Sequence, residues 1–497
     1  MYSFFQQGSW AWGAVLLILQ LAAMLHILAS KRRNPGQAVF WLLLLTLLPP
    51  LGLIFYLLLG INRFEHVRSR IIKARSSIGS DGSRFWTELL KLNRSLSKFQ
   101  STNERSQSPH MTTLDRIFPE NSALEGNHIE MLIDGSAVYP RMLADIRKAE
   151  KCIRLQSYIF NSDEVGRMFM QALQERAAAG VDVKVLFDSV GSIRSFFSQY
   201  FRKLLHKGSK NFCMKAFSPV NLLAPWKYQL RNHRKLLVID GRIVYVGGVN
   251  IAAENMRFKR IVPARYIHDL HCRITGPAAS QFTLSFLADY LYASGSSNID
   301  KAASAGDLAP VERCGNASVR VIPGGPGNIR EATGKLFFTA AALAQKSLWI
   351  MTPYFVPGKD YVDALCMAAA RGVDVKIIVP HKGDHLFVDY AMRNYFEQLN
   401  LAGVTVYEKL GTFSHIKALL VDSQWGFMGS SNCDSRSFYL NFELDFCFEG
   451  SDFTTDMIRQ FYREIAGARK LTAYRLSKTP RWKKLLYSIA ALFTPVL

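Results

Sequence analysis

Hydrophobic residues near the amino terminus form two long runs that are almost free of charge. These runs cover residues 10–30 and 39–61. Each is about as long as the roughly 20 residues that a helix needs to cross the hydrocarbon core of a bilayer. The first run lacks the basic segment of a signal peptide, and it is too long for a signal-peptide core. The pattern therefore predicts a two-helix transmembrane hairpin within residues 1–75.

Prolines and basic residues add detail to this hairpin. Pro49 and Pro50 lie inside the second run, so we expect the second helix to be kinked or re-entrant. Between the runs stand Lys31, Arg32 and Arg33, and after the second run stand Arg63, Arg68, Arg70, Lys73 and Arg75. The hairpin predicts a multi-pass membrane protein, and the positive-inside bias predicts that its later domains are cytoplasmic.

Beyond the hairpin, apolar β-branched runs alternate with Ala-containing helical stretches, and the order of these blocks occurs twice. The matching blocks are IEMLIDG (129–135) and VRVIPGG (319–325), CIRLQSYIF (152–160) and SLWIMTPYF (347–355), AAAGVDVKVLFDSVG (177–191) and AAARGVDVKIIVPHKG (368–383), and HDLHCRITG (268–276) and FELDFCFEG (442–450). Four blocks in the same order indicate an internal duplication. Buried strands separated by helices predict an α/β fold with mixed sheets covered by helices.

The duplication sets the expected domain boundaries. We expect two related α/β domains over residues 128–292 and 317–475, packed face to face. Residues 76–127 and 293–316, which are rich in Ser and Gly, are expected to be linkers, with a short helix near FWTELLKL. Residues 476–497 are basic and then apolar but too short to span a bilayer, which predicts a tail at the membrane interface, with a packed terminal helix as the alternative.

Charge and cysteine content limit the setting without fixing the function. Lys and Arg number 61 against 39 Asp and Glu, a formal net charge of +22. Such an excess favours a polyanionic neighbour, either nucleic acid or an anionic lipid surface, although a solvated basic face has the same composition. The seven cysteines include no C-x-x-C pair, which argues against a disulfide framework or a zinc pattern and favours a reducing compartment.

One motif, H-x-K-x4-D-x6-G-[GS]-x-N, stands at the equivalent place in both repeats. Its copies are His233, Lys235, Asp240, Gly247, Gly248 and Asn250, and His415, Lys417, Asp422, Gly429, Ser430 and Asn432. A strand ending in a turn with an incidental His explains one copy, but two equivalent copies favour a site. If the copies meet, two ammonium groups neutralise a phosphate and two Asn amides bind its oxygens. One imidazole then attacks phosphorus, and the other serves as acid and base.

Carboxylates are needed to fix the tautomers of these imidazoles. The aligned repeats offer Asp269 and Glu443, each seven residues before a Gly, with ordinary strand-edge charges as the alternative. Asp240 and Asp422 belong to the candidate catalytic motif, but their place after a strand suits them better to holding a turn. This chemistry requires no metal and no cofactor. The His268-x-x-His271 pair lacks further ligands, which favours a structural role.

The two motifs resemble the paired HKD motifs of the phospholipase D superfamily, and the chain is similar to bacterial cardiolipin synthases. The segments that carry the likeness are LLPPLGLIFYLLLGINR, LQSYIFNSDEVGRMFMQAL, NHRKLLVIDGRIVYVGGVNIAAE and SHIKALLVDSQWGFMGSSNCDSRSFYLNFEL. In this sequence Gly248 stands where the superfamily often has Ser.

The resemblance implies two phospholipase D-like domains and a defined reaction. A phosphatidyl group would pass from one phosphatidylglycerol to another through a phosphatidyl-histidine, giving cardiolipin and glycerol. In some relatives phosphatidylethanolamine would be a co-substrate. The resemblance suggests His233 as the nucleophile and His415 as the acid and base, an assignment that the sequence alone leaves open. The expected partners are phosphatidylglycerol, other anionic phospholipids and the membrane.

Other hypotheses use the same residues. With water as acceptor, the protein would be a phospholipase D, or a phosphodiesterase acting on nucleic acid. The charge of +22 favours the nuclease, but the apolar amino terminus opposes it, so no nucleic acid partner is expected. A non-catalytic lipid scaffold does not explain why both motifs are complete. The sequence leaves a homo-oligomer open.

Two basic segments around the first motif have two interpretations each. Residues 193–232 mix aromatic residues with Lys and Arg, which fits either a lip at the membrane interface or a surface helix and loop. Arg257, Lys259, Arg260 and Arg265 follow the motif. They fit either a second headgroup site or a solvated loop.

Overall fold

The fold is taken from a computed structural model that describes residues 2–30, 35–61, 64–79, 83–100, 109–198, 210–218, 230–256, 266–326, 331–450 and 452–492. One structural unit holds the amino-terminal helices up to Ser69, and the other begins at Arg70 and holds both repeats. Lys31, Arg32, Arg33 and Arg63, which entered the prediction of topology, lie outside the described residues.

The strands of the larger unit follow the apolar blocks of the two repeats. In chain order they are β1 Leu124–Ile133, β2 Cys152–Ser157, β3 Asp182–Asp188, β4 Phe212–Phe217, β5 Leu236–Ile239, β6 Ile243–Gly247, β7 Ile267–His268, β8 Leu270–Thr275, β9 Ala317–Pro323, β10 Ser347–Met351, β11 Phe355–Val356, β12 Asp374–Pro380, β13 Thr405–Lys409, β14 Phe413–Ser414, β15 Ala418–Val421, β16 Trp425–Gly429, β17 Cys433–Asp434, β18 Leu444–Glu449 and β19 Ala468–Lys470.

The α-helices lie between these strands and at both ends of the chain. They are α1 Tyr2–Ser30, α2 Pro35–Leu47, α3 Pro49–Phe55, α4 Phe64–Ser76, α5 Arg84–Leu96, α6 Pro109–Ile117, α7 Asp134–Lys148, α8 Glu164–Ala178, α9 Ile193–Phe196, α10 Ala279–Ser294, α11 Ile299–Ala302, α12 Ala332–Leu343, α13 Lys359–Ala370, α14 Leu386–Arg393, α15 Phe396–Leu401, α16 Ser435–Tyr439, α17 Asp452–Ala466, α18 Ala473–Ser477 and α19 Arg481–Leu492.

The repeats form a single mixed sheet of fifteen strands among the described residues. Its order is β19-β13-β12-β10-β15-β16-β18-β9-β1-β8-β6-β5-β2-β3-β4. Apart from β19, each strand has its counterpart at the mirrored position, as the duplication requires. The repeats meet where β1 pairs antiparallel with β9. The mixed α/β fold is confirmed, but the face-to-face packing needs a correction, because the two halves continue one sheet edge to edge.

Apolar cores cover both sides of this sheet. On one side, residues from strands of both repeats pack in a single cluster with Phe282 and Phe286 of α10 and with Met457 and Phe461 of α17. The first repeat buries a separate cluster with α7 and α8, and the second repeat buries another with α12 and α13. The shared cluster joins the repeats, so neither half has a complete core of its own.

The two expected linkers are packed segments of the larger unit. Helix α5 buries Phe85, Leu89, Leu92 and Leu96 in the shared cluster, at the i, i+4, i+7 spacing of an amphipathic helix. The carboxylate of Asp300, from the second expected linker, accepts the Phe85 N–H at 2.9 Å. These segments lack long apolar runs, so a Ser- and Gly-rich composition predicts linkers there even though their spaced apolar residues pack in the core.

The amino-terminal unit contains one helix in its described residues that is long and apolar enough to cross a membrane, Trp12–Ser30. The second apolar run is divided at Leu48 into α2 and α3. Pro49 has no N–H to donate to the carbonyl of Leu45, and the Gln20 side chain of α1 donates to that carbonyl instead, at 2.7 Å. The run is therefore interrupted at the prolines rather than forming a second uninterrupted span.

A buried ion pair fixes the second expected linker to the sheet. Arg154 on β2 donates from Nε and Nη2 to the carboxylate of Asp307, at 2.7 and 2.6 Å. Both side chains are fully buried. A buried charge that loses its partner is strongly destabilising, because water does not replace the lost interaction.

We predict that Asp307→Ala lowers the free energy of unfolding by about 3 kcal/mol, because Arg154 loses its fully buried carboxylate and keeps only that of the partly exposed Asp182. Thermal denaturation of the purified protein in detergent measures the change. Glu312→Ala, an exposed carboxylate on the same segment, is the matched control and should change stability by less than about 0.5 kcal/mol. Equal melting temperatures for both variants would contradict the prediction.

Candidate active site

Each HKD segment forms a short buried strand that ends in a strained turn at its Asp. Asp240 follows β5 with φ at 51°, and Asp422 follows β15 with φ at 52°. The Asp240 carboxylate accepts the N–H groups of Lys151 and Cys152 at 2.7 and 2.8 Å, and it thereby fixes the start of β2.

Asp422 repeats this arrangement in the second half. Its carboxylate accepts the N–H groups of Lys346 and Ser347 at 2.6 and 2.8 Å, at the start of β10. In each motif the His therefore lies before the strand and the Asp lies after it, at the opposite end. These contacts hold the two turns, which is the task that their positions after the strands suggest, and a catalytic role for Asp240 and Asp422 stays a prediction.

The His end of each segment is bound to the opposite repeat. The His233 N–H donates to the carbonyl of Phe442 at 2.9 Å, and the His415 N–H donates to the carbonyl of His268 at 2.7 Å. Strand β14, just before His415, also pairs in parallel with β7, just before Asp269. The backbone therefore brings each His next to the carboxylate-bearing strand of the other repeat.

The side chains complete this crossed arrangement. Nδ1 of His233 lies 3.1 Å from Oε2 of Glu443, and Nδ1 of His415 lies 2.7 Å from Oδ2 of Asp269. Each imidazole thus takes its carboxylate from the other half of the chain. The crossing brings both motifs into one site, with Nε2 of each ring as the nitrogen that remains for chemistry.

The two carboxylates have different surroundings. Glu443 accepts hydrogen bonds from the hydroxyls of Ser430 and Ser437, at 2.5 and 2.9 Å, and from the Asn441 amide at 3.3 Å. These donors stabilise its charge, and the sequence motif does not include Ser437 or Asn441, because the position equivalent to Asn441 in the first repeat holds Ile267.

Asp269 is held by backbone contacts and by close packing. It accepts the Leu270 N–H at 2.8 Å. A Cβ atom added to Gly248 would lie 2.2 Å from its Oδ1. The Gly at this position therefore makes room for the carboxylate that holds His415, where a Ser would collide with it.

Both lysines of the motifs are buried. Burial, and after it the charge of Lys417, lower the pKa of Lys235 to about 7. Burial also lowers the pKa of Lys417 to about 8, although Asp269 acts in the opposite direction. Lys235 donates to the carbonyl of His233 at 2.7 Å, and Nζ of Lys417 lies 2.8 Å from Nδ1 of His415.

Both imidazoles favour the neutral form. Burial lowers the pKa of His233, against the opposing effect of Glu443. Burial and then the charge of Lys417 lower the pKa of His415 to about 4. Burial alone would raise the pKa of Asp269, but Lys417 and His415 hold it below its usual value. The site without substrate therefore combines neutral imidazoles with ionised carboxylates.

The two Asn residues are buried in the loops that follow β6 and β16. The side-chain oxygen of Asn250 accepts the Ile159 N–H at 3.2 Å, which leaves its amide donors for another partner. The backbone N–H of Asn432 donates to the Ser437 hydroxyl at 3.1 Å. The side-chain oxygen of Asn432 is buried without a hydrogen-bond partner in the described part of the chain.

Two tyrosines line the imidazoles, and the sequence analysis did not select them. The ring of Tyr158 lies 4.8 Å from that of His233, edge to face, and the ring of Tyr354 lies 6.3 Å from that of His415. Both follow a strand of the same repeated block, one position apart in the alignment. That recurrence is the signal that would have identified them.

The His268-x-x-His271 pair is held by protein groups. Nδ1 of His268 lies 2.7 Å from Asp134, and its Nε2 lies 2.8 Å from Glu464. Burial lowers the pKa of His271 to about 3.

Of the predicted lip at residues 193–232, residues 199–209 and 219–229 lie outside the described residues, as do Arg257, Lys259, Arg260 and Arg265.

Comparison with known proteins places this geometry in a family. A family model described as cardiolipin synthase, PLD-like domain, matches residues 142–282 and 338–465, and a model described as phospholipase D-nuclease N-terminal matches residues 18–60. The first model covers both repeats and both motifs. The second covers the apolar amino-terminal helices.

Full-length relatives and a solved structure agree with these matches. The chain is 32% identical over 496 residues to the major cardiolipin synthase ClsA of Bacillus subtilis, covering 97% of this chain and 98% of that protein. It is 30% identical over 501 residues to a cardiolipin synthase of Alkalihalophilus pseudofirmus, covering 98% and 95%. A phosphatidylserine synthase structure from Haemophilus influenzae shares the fold, with a TM-score of 0.59, 17% identity, and coverage of 78% and 100%. The chain therefore belongs to the cardiolipin synthase family of phospholipase D-like enzymes.

Proposed function

We propose that this protein makes cardiolipin and glycerol by transferring a phosphatidyl group from one phosphatidylglycerol to another. The observation that carries the proposal is the crossed pairing of His233 with Glu443 and of His415 with Asp269. A single centre with two oriented imidazoles suits a two-step displacement through a covalent intermediate. Relatives of full length that are cardiolipin synthases support the same reaction.

His233 is suited to be the nucleophile by the two groups at its Nδ1. The Ser430 carbonyl lies 3.0 Å from Nδ1 and Glu443 lies 3.1 Å from it. Both accept hydrogen bonds, so the proton stays on Nδ1 and the lone pair on Nε2. Nε2 attacks the phosphorus of the donor lipid, a P–N bond forms, and the P–O bond to glycerol breaks.

His415 is suited to exchange a proton because its Nδ1 meets both an acceptor and a donor. Asp269 accepts there, and Lys417 donates. Either tautomer is therefore stabilised, as a group that gives and then takes a proton requires. The anionic substrate offsets the charge of Lys417, so His415 can be protonated to release glycerol. It then takes the proton of the acceptor hydroxyl, whose oxygen attacks phosphorus as the P–N bond breaks.

The lysines and Asn residues bind the phosphodiester in this proposal. Lys235 and Lys417 neutralise the charge that develops on the phosphoryl oxygens, and the amides of Asn250 and Asn432 donate to the same oxygens. The site is buried, so each added charge interacts strongly with its neighbours. An anion bound beside the two lysines therefore favours the protonated form of both.

The amino-terminal unit is the proposed membrane anchor. Helix α1 crosses the bilayer, and α2 and α3 form a re-entrant pair interrupted at Pro49, with the larger unit in the cytoplasm. The hydrogen bond from Gln20 to the Leu45 carbonyl supports this arrangement, because a free carbonyl is costly in hydrocarbon. The donor and acceptor lipids would then reach the site from the same membrane.

The function is tested with purified protein and phosphatidylglycerol in mixed micelles, by measuring cardiolipin and glycerol. We expect His233→Ala to reduce the rate on the order of 10³-fold or more, because the nucleophile is lost. His415→Ala should slow turnover by about 10²- to 10⁴-fold and still allow labelled phosphatidyl to accumulate on the protein.

The matched control is His128→Ala, an exposed imidazole of the first repeat, which should keep full activity. Phosphatidic acid in place of cardiolipin would indicate water as the acceptor, and nicking of plasmid DNA would indicate a nuclease. A label that survives in His233→Ala and is lost in His415→Ala would reverse the two roles.

The lysine pKa values predict how anion binding depends on pH. A lysine binds phosphate in its protonated form, which decreases as pH rises through the pKa values of about 7 and about 8. We therefore expect the affinity for tungstate, a phosphate mimic, to fall as pH rises across this range. Calorimetric titration measures the affinity. Lys417→Met should weaken binding at low pH and flatten the dependence, and an unchanged affinity across the range would contradict the prediction.

A further inference from the structure

The carboxyl-terminal helix α19 is docked by its polar side and exposes its apolar side. Lys484 forms an ion pair with Glu397 at 2.7 Å, the Ser488 hydroxyl donates to Asn394 at 3.2 Å, and the ring of Tyr487 lies 5.3 Å from that of Tyr390. A helix that packs on a soluble domain normally buries its apolar residues instead.

The apolar side of α19 is a stripe at helical spacing. Trp482 is 60% exposed, Leu485 62%, Ile489 42% and Leu492 77%. Five cations and no carboxylate occur between residues 471 and 492 (Arg475, Lys478, Arg481, Lys483 and Lys484). An exposed apolar stripe with basic flanks and a Trp is the composition of a helix that lies in the interface of an anionic bilayer.

A cavity of about 250 Å³ lies beside this helix, lined by parts of α14, α15, β13, β19, α18 and α19. Its charged lining consists of Arg393, Arg469, Arg475, Lys484, Glu397 and Glu408. Glu408 pairs with Arg393 and Arg469, and Lys484 pairs with Glu397, so the lining carries two positive charges in excess. Nε of Arg469 is buried without a hydrogen-bond partner in the described residues. These features favour an anionic ligand.

Helix α14 connects this surface to the candidate active site. It begins at Leu386, two residues after Asp384. The Asp384 carboxylate accepts the Tyr354 hydroxyl at 2.7 Å, and Tyr354 lines His415. Leu386, at the start of α14, is 67% exposed. Helix α14 therefore carries an exposed apolar residue near Asp384 and contacts α19 through Tyr390.

We propose that α19 and the adjacent cavity form a second lipid-binding site. In it an anionic phospholipid of the bilayer places its phosphate among Arg469, Arg475 and Lys484, while the apolar stripe enters the interface. The proposal goes beyond the catalytic reaction, because this lipid is bound and not converted. Its role is to hold the His415 side of the site against the membrane surface from which the acceptor lipid enters.

Brominated lipids in nanodiscs that carry the full chain test this proposal, because bromine quenches only tryptophans that reach the lipid. The signal of Trp482 is the difference between the wild type and Trp482→Phe. We expect this signal to be quenched in discs of phosphatidylglycerol and phosphatidylcholine, and much less in phosphatidylcholine alone. Arg475→Ala should reduce the quenching. The control variant Met367→Ser, at an exposed apolar residue of α13, should leave the quenching unchanged.

Kinetics separate this site from the catalytic one. Leu485→Ser with Ile489→Ser should raise the KM for the surface fraction of phosphatidylglycerol several-fold and leave kcat in detergent micelles unchanged. A quenching signal that is absent in discs with phosphatidylglycerol, or that Arg475→Ala does not change, would overturn the proposal. Neither result affects the proposed reaction, which is judged by product formation in micelles.

His268 joins the two repeats at a place next to His415. Its imidazole bridges Asp134 at the start of α7, in the first repeat, and Glu464 on α17, in the second, at 2.7 and 2.8 Å. Its carbonyl accepts the His415 N–H at 2.7 Å. Asp134 also accepts the N–H of Asp269 at 3.0 Å. The same bridge therefore holds both His415 and its carboxylate.

The equivalent position in the other repeat holds no ionic bridge. Phe442 stands there, and its ring packs 4.9 Å from that of Phe217. The backbone bonds are equivalent, because the Phe442 carbonyl accepts the His233 N–H as the His268 carbonyl accepts that of His415. The ionic bridge is thus specific to the imidazole that we assign to proton transfer.

We infer that His268 is a positioning residue that orients His415 and Asp269 through its ionic bridge. The groups that face it are Asp134 on α7 and Glu464 on α17, and Lys409 on β13 pairs with Glu464 at 2.9 Å. Although burial opposes it, hydrogen bonds to Asp134 and Glu464 raise the pKa of His268 to about 9. The bridge is therefore charged at neutral pH and is lost as pH rises through about 9.

Single-turnover kinetics distinguish positioning from a general structural role. In His268→Gln we expect the labelling of His233 to keep its amplitude while its formation and its transfer both slow about tenfold, because His415 serves both steps, with KM unchanged. Glu464→Gln should act in the same direction. The variant His268→Arg stays charged at high pH and can reach two carboxylates. Its rate relative to that of the wild type should therefore rise as pH passes about 9, where the wild type loses its bridge. An unchanged turnover rate in both Gln variants, or a constant ratio for His268→Arg across this pH range, would overturn the inference.

Discussion

The exchange of carboxylates between the repeats is the constraint on which the rest of the structure depends. His233 and His415 each bind a carboxylate that the opposite half supplies. Two buried lysines lie beside them, and these six charged or polar groups are stable in the interior only if they stay together. The continuous sheet and the shared core of α10 and α17 satisfy this condition, because they fix both halves in one frame.

Duplication supplies symmetry, and a few substitutions between the copies remove it. Glu443 is surrounded by hydroxyl and amide donors, whereas Asp269 is packed against Gly248. The hydrogen-bonding neighbours of Nδ1 also differ between the two rings. Nδ1 of His233 faces two acceptors, whereas Nδ1 of His415 faces one acceptor and one donor. A symmetrical pair of imidazoles would have no preferred roles. These differences explain how one site can assign attack on phosphorus to one ring and proton transfer to the other.

Much of this arrangement follows from the sequence, because it rests on local patterns. The repeated blocks predict the mirrored strands, the aligned glycines select Asp269 and Glu443, and Pro49 predicts the interruption of the second apolar run. The crossing of the pairs is not in any local pattern, because period and spacing do not say which distant strand a side chain meets. The packing of α5 and of Asp307 was missed for the same reason, since their partners lie in other parts of the chain.

The most direct test of the crossed pairing is to remove each carboxylate separately and measure the two chemical steps. The account predicts that Glu443→Gln mainly slows the formation of phosphatidyl-histidine on His233. Asp269→Asn, which disturbs the acid and base of both steps, should still let it form but should slow its transfer to the acceptor as well. Rapid quenching with labelled phosphatidylglycerol resolves both steps. If Asp269→Asn instead abolished the labelling of His233 while Glu443→Gln left it intact, each imidazole would depend on its own repeat and the crossed site would be contradicted.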